Sequence, residues 1–318
     1  MDYTIYSGSW IVCGSYALLH ATDLPYTDLI PLENSTGASF GTCCAGEEYN
    51  YTRLLTVFRD FNYGIDAAAP LWGIQMNRVD GETKEPITNL LNDPYIDRIL
   101  IGPVSMTGLT YLPLSGQYRY IDHFITCIRH DKKTWRLIDS ENVPGLITDS
   151  AQIIKMLSIQ DTPEACDLYT ARVILDVNMR AAAENKPLCL RHTLQTAYIN
   201  LRDSQEDGQG YQAFYNCAEL LQNISPKKYE PVLYSVDYLI QRKIMLLKLL
   251  QEAAQEHIAV VSPYIVTTVN HFIETAGALR GNLNNKNIPP PENLFCELAE
   301  AEKKITENWE EWVRYDSH

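Results

Sequence analysis

The chain has 318 residues, of which 46% are hydrophobic and 21% charged, with a formal net charge of −14 at pH 7. That length can bury one large core or two medium ones, and the composition excludes a disordered or collagen-like chain. The acidic average field disfavours nucleic acid as a partner, since no cluster of Lys and Arg longer than two residues counters it.

No apolar run reaches the ~18 residues of a membrane span, so no membrane association is expected. Asp2 stands where a signal peptide would carry Lys or Arg. The eight cysteines include no C-x-x-C pair, which disfavours a disulfide scaffold, a structural zinc site and a thioredoxin-type motif. Reduced thiols and a cytoplasmic location are the simplest reading.

In chain order, the first informative stretch is Ser7-Gly8-Ser9-Trp10-Ile11-Val12-Cys13, running into Gly14-Ser15-Tyr16-Ala17-Leu18-Leu19. A polar loop leads to a cysteine, and small residues then open a helix. A cysteine at a helix N-terminus lies at the positive end of the macrodipole, which favours thiolate. Free N–H groups of the first turn also suit a developing oxyanion. A buried structural cysteine reads the same way in isolation. A second amphipathic helix is expected over 53–61.

Arg98 to Val104, Phe124 to Ile128 and Trp135 to Ile138 read as strands, being short apolar runs with β-branched or aromatic residues between turn signals. His130-Asp131-Lys132-Lys133 is then the turn of a hairpin. His123 opens one of its strands and Asp139 closes the other, 16 residues on. Antiparallel pairing would set them side by side, so that a carboxylate orients an imidazole. Cys13, His123 and Asp139, each at an element boundary, make a candidate catalytic triad.

Beyond Gly145 the pattern turns helical, with helices expected over 164–184 (ended by Pro187), 190–201, 211–221, 234–261, 264–279 and 292–315. Asn282 to Pro291 reads as a loop. A boundary within 145–165 divides the chain into an α+β catalytic domain, 1–150, and a helical substrate or partner domain, 151–318.

Taken together, Cys13-Gly14, Phe40-Gly41, Gly102-Pro103-Val104-Ser105-Met106, Leu109-Thr110-Tyr111, Asp122-His123-Phe124 and Leu137-Ile138-Asp139 resemble the butirosin biosynthesis protein H family. The resemblance covers roughly residues 5–145, and more loosely the helical half. It implies a papain-like fold and acyl transfer from a carrier-protein thioester, through an acyl-cysteine, to a small-molecule amine in specialised metabolism. No cofactor is implied beyond the donor's phosphopantetheine arm, and an acyl carrier protein becomes the expected partner. Where papain-type enzymes often place an oxyanion-hole Gln, this chain has Ser7, so Ser7, Ser9, Trp10 and Tyr111 are the candidate oxyanion or substrate-binding residues. A peptidase, amidase or thioester hydrolase on the same triad remains an alternative, as does a binding protein on the same fold.

Other residues have plainer readings. Cys43-Cys44 fit a tight turn of small residues. His20 lies about two turns from Cys13, too far to reach it. His192, His257 and His271 are too scattered to suggest metal ligands, and His130 belongs to a solvated turn. Tyr118 and Tyr120 join Tyr111 near the site, where packing at a domain interface is their ordinary role. Glu47, Glu48 and Arg53 could meet a substrate amine or carboxylate. Lys227-Lys228, Arg242-Lys243 and Lys303-Lys304 are expected to be solvated faces, with one of them a possible dock for an acidic carrier.

Overall fold

The computed structural model describes residues 13–24, 32, 42–43, 56–57, 61–112, 122–139, 142–159, 169–203, 210–222, 230–285 and 290–315. They fall into two compact units, one drawn from Met1–Leu32 and Gly64–Asn185, the other from Glu33–Tyr63 and Lys186–His318. The architecture is α+β, with an antiparallel sheet in the first unit and mostly helix in the second.

The first unit opens with α1 (Cys13–Thr22). Its sheet has six strands: β3 (Ile74–Gly81), β4 (Arg98–Ser105), β5 (Asp122–Arg129), β6 (Thr134–Asp139), β7 (Asn142–Asp149) and β8 (Tyr169–Val177), in the order β3-β8-β4-β5-β6-β7. Every residue of β4 after Arg98 is buried, because the strand is central and covered on both faces. One face, carrying Ile99, Ile101, Ile125, Cys127, Trp135 and Leu137, packs against Ile87 and Leu91 of α3 (Glu85–Asn92) and Ile153 and Met156 of α4 (Ser150–Met156). The Trp135 indole donates to the Leu91 carbonyl at 3.1 Å. On the other face, the Thr126 hydroxyl donates to the Ala17 carbonyl of α1.

The expected hairpin is present. Asp131 accepts from the backbone N–H of Lys133 (2.7 Å) and Thr134 (2.8 Å), the hydrogen bonds of an Asx turn. Arg129, at the end of β5, lies over the Trp135 ring at 4.0 Å.

Several expectations about secondary structure are corrected. Tyr169–Val177, expected to be helical, is β8, paired with both β3 and β4. Its buried Thr170-Ala171-Arg172-Val173-Ile174 run fits either period over so short a span, and pairing on both sides decides it. The sheet therefore continues past Gly145, where the sequence reading changes to helix. Over 53–61, Thr56–Val57 is a strand (β2) paired with Thr42–Cys43 (β1), and the helix, α2 (Phe61–Ala68), begins where that segment ends.

Pro187, expected to end a helix, lies inside α5 (Met179–Asp203). Burial of Leu190, Leu194, Ala197 and Leu201 carries the helix on against the intrinsic preference of proline.

The second unit contains α6 (Gln212–Gln222), α7 (Glu230–Gln255), α8 (Pro263–Asn284), α9 (Glu292–Glu307) and α10 (Trp309–Trp312), with a small ribbon of β9 (Ala259–Val261) and β10 (Val313–Tyr315). The two ends of the chain segments expected to be helical over 234–261 and 292–315 are thus strands. Among the described residues no helix is long and apolar enough to cross a membrane.

The core of this unit forms two hydrophobic clusters. Along α7 the first runs to Leu239 and the second starts at Leu246; along α9 they are separated between Ala301 and Ile305. In these gaps sit Lys243 and Glu302, both buried and paired at 2.5 Å, with Lys243 Nζ 4.9 Å from the Phe272 ring centre. Arg242 is buried beside them against Tyr238, and burial pushes its guanidinium down to about 9. The expectation that Arg242-Lys243 forms a solvated face is therefore corrected, and with it their candidacy as a carrier dock. Both side chains are spent inside the bundle.

Candidate active site

Two contacts fix the direction of α1. Arg98, which pairs with Ile128 across the sheet, donates to the Ala21 carbonyl at 3.0 Å, and Thr126 donates to that of Ala17. Four residues of helix and two of strand each advance about 6–7 Å. Going back along α1 from Ala21 to Ala17 thus goes back along β5, so the Cys13 end of α1 points towards the His123 end of the strand. The helix begins at Cys13 itself, so its unbonded N–H groups and positive end lie at this end of the sheet.

His123 occupies the beginning of β5 opposite Val104, beyond an irregularity in which the register slips between Ile101 and Val104. Gly102 lies within it at φ 153°, where a Cβ would come within 2.4 Å of the Phe124 ring. A bulge of this kind re-aims side chains at the end of a strand. Asp139 closes β6, and its Oδ2 lies 3.3 Å from His123 Nε2. The imidazole is 3% exposed and the carboxylate 0%. The hairpin thus brings together the two residues that the sequence reading pairs.

Tyr111 meets the same carboxylate, donating its hydroxyl to Asp139 Oδ2. It is carried there by the segment after β4. The Ser105 hydroxyl caps a 3₁₀ turn (Met106–Gly108) by accepting from Thr107 N–H at 3.2 Å. Further backbone bonds, Leu109 N–H to Met106 O (3.1 Å) and Leu112 N–H to Leu109 O (2.9 Å), continue the coil around Tyr111. A Cβ on Gly108 would lie 2.1 Å from the Met156 carbonyl oxygen, so only glycine lets this turn approach α4 so closely. Sequence reading assigns Tyr111 to oxyanion or substrate binding; here its hydroxyl is directed at the acid of the pair. Neither that contact nor the need for Gly108 has a local sequence signal, because both arise between segments distant in the chain.

Alternation along β5 puts His123 on the same side as Ile125 and Cys127, facing α3 and α4, whereas α1 packs on the Thr126 side. The Cys13 side chain lies outside the described residues, as do Ser7, Ser9, Trp10, Cys44, Glu47, Glu48, Arg53, Tyr118, Tyr120, Lys227 and Lys228.

The remaining described groups separate from this cluster. The His20 ring packs 4.6 Å from that of Tyr16; burial lowers its pKa, with Asp23 pulling the other way. Burial pushes the Cys127 thiol up to about 12, and Cys189 and Cys217 are likewise buried. In the helical unit, Cys296 and His271 line a groove of about 400 Å³ together with Glu297, Glu300 and Lys304. Among the described residues no group of three or more His, Cys, Asp or Glu side chains is placed to hold a metal ion.

The arrangement supplies a buried imidazole 3.3 Å from a buried acid, at the end of a sheet towards which the Cys13 end of α1 points. No protein-family model and no curated protein matches this chain.

Proposed function

We propose that the chain is a papain-like thiol acyltransferase, with Cys13 as nucleophile, His123 as general base and acid, and Asp139 as the group that orients the imidazole. The observation that supports it best is the buried 3.3 Å contact between His123 and Asp139, at the end of the sheet that the Cys13 end of α1 approaches.

In the proposed reaction His123 takes the Cys13 proton and the thiolate attacks the carbonyl carbon of an acyl thioester. The carbon–sulfur bond to the carrier thiol breaks as the new one forms, and the imidazolium returns its proton to the leaving sulfur. A primary amine then attacks the acyl-cysteine, gives its proton to His123, and expels the Cys13 sulfur, which recovers that proton. The products are an amide and free carrier thiol, with the enzyme regenerated. The donor is a thioester on the phosphopantetheine arm of an acyl carrier protein, and the acceptor a small-molecule amine.

The test supplies short-chain acyl thioesters and carrier-bound donors to the full-length protein, with intact-mass and peptide mass spectrometry. Acyl mass on Cys13, cleared by added amine with formation of the amide, supports the proposal. Clearance to free acid with every amine makes the protein a thioester hydrolase. Acylation at Cys43, Cys44 or Cys296 overturns the assignment of the nucleophile.

A further inference from the structure

We infer that Tyr111 is a positioning residue for the candidate triad, holding Asp139 in the rotamer that faces His123. This rests on the proposal that His123 and Asp139 serve a thiol, and it adds a fourth member that acts through the acid. The Tyr111 hydroxyl donates to Oδ2 of Asp139, the same oxygen that lies 3.3 Å from His123 Nε2.

A carboxylate that is 0% exposed cannot rely on solvent to fix its orientation or stabilise its charge. Two groups converging on one oxygen, from β5 and from the segment after β4, restrict its rotation about the terminal bond. By donating to the carboxylate the phenol also draws charge from the oxygen that faces the imidazole, so removing the hydroxyl changes the field at the ring.

Tyr111 is well placed to be held rigidly. Its segment is capped by Ser105, and the Gly108 contact packs that segment against α4. A tyrosine reaching for substrate would present its hydroxyl to the acyl oxygen, whereas this one is engaged with the acid.

The experiment uses ¹⁵N-labelled full-length protein in a Cys13→Ala background, so that no thiol perturbs the imidazole. His123 ring resonances are recorded at neutral pH with Tyr111 intact, with Tyr111→Phe, and with each of these combined with Asp139→Asn. Tyr111→Phe is expected to shift the His123 ring resonances, and to have no such effect once Asp139 is Asn. An unmoved resonance, or the same displacement in the Asp139→Asn background, overturns the inference. If Tyr111→Phe fails to fold, 3-fluorotyrosine incorporation gives a second test. Its more acidic phenol should also move the His123 ring resonances, and no movement overturns the inference.

With Cys13 restored, Tyr111→Phe is expected to slow alkylation of that thiol about tenfold, the scale of one charge-assisted hydrogen bond. The two readings fail separately. A Tyr111-dependent shift with an unactivated Cys13 supports the positioning role toward Asp139 and sinks the thiol enzyme. An activated Cys13 with no Tyr111-dependent shift does the reverse.

Discussion

Asp139 Oδ2 lies 3.3 Å from His123 Nε2, with both side chains buried at the ends of neighbouring antiparallel strands. A carboxylate at that distance stabilises an imidazolium electrostatically, the role the proposed triad gives it. Replacing His123 with Ala should lower the rate of Cys13 acylation by about 10²- to 10⁴-fold, the usual range for a lost general base. Asp139→Asn keeps the shape but not the charge, and should give a smaller loss. Single-turnover acylation, followed by mass spectrometry, measures both. Equal rates in wild type and His123→Ala would remove the imidazole from the mechanism.

The cysteines should separate sharply in reactivity. Cys127, with its thiol pushed up to about 12, and the buried Cys189 and Cys217 should resist iodoacetamide in native protein at pH 7. Cys13 should be modified first, ahead of the half-buried Cys296. Peptide mapping after brief exposure gives the order. Modification led by Cys296 would direct attention to the groove on the helical unit instead.

Gly108→Ala tests the close approach that carries Tyr111 to Asp139. A Cβ 2.1 Å from the Met156 carbonyl oxygen forces backbone to move. Overpacking of this kind destabilises by ~1–3 kcal/mol, and the displaced segment should also slow Cys13 acylation. Urea unfolding and acylation kinetics on the same variant check both effects. Wild-type values for both would show that the turn does not position Tyr111.

The polar layer in the helical unit predicts an asymmetry. Glu302→Leu leaves Lys243 buried without its carboxylate, and should destabilise by ~3–5 kcal/mol. Lys243→Met combined with Glu302→Leu removes both charges and should recover most of that loss. A double variant as unstable as the single one would mean that the ion pair itself, rather than the uncompensated charge, dominates.

Acid should weaken the sheet unit through Asp66. Burial pushes this carboxyl upward, but hydrogen bonds and charge from Arg172 and Arg78 outweigh it and hold the group below its ordinary value. A carboxyl lowered in the folded state stabilises above its unfolded pKa, and that contribution disappears as pH falls through the folded one. The Arg172 contact is 2.7 Å, yet the Asp66 side chain is 40% exposed, so solvent and salt reduce the effect. Melting temperatures between pH 7 and pH 2 should fall less steeply for Asp66→Asn than for wild type. Parallel curves would show that Asp66 does not contribute to the acid transition.

Short-range chemistry made much of this chain legible. Alternation and turn residues identify β5, the Asp131 turn and β6, and a hairpin necessarily sets a histidine at one strand's start near an acid at its partner's end. Small residues from Cys13 onward likewise mark α1. Other features depended on contacts between distant segments. β8 is a strand because β3 and β4 flank it, and α5 passes Pro187 because its later turns are buried. Arg242 and Lys243 look like a surface pair until the bundle closes around them. Tyr111 meets Asp139 only because a glycine allows one turn to press against α4. Periodicity and turn propensity are local energies that a sequence displays directly. Burial and long-range hydrogen bonding are properties of the closed chain, and they decided these remaining positions.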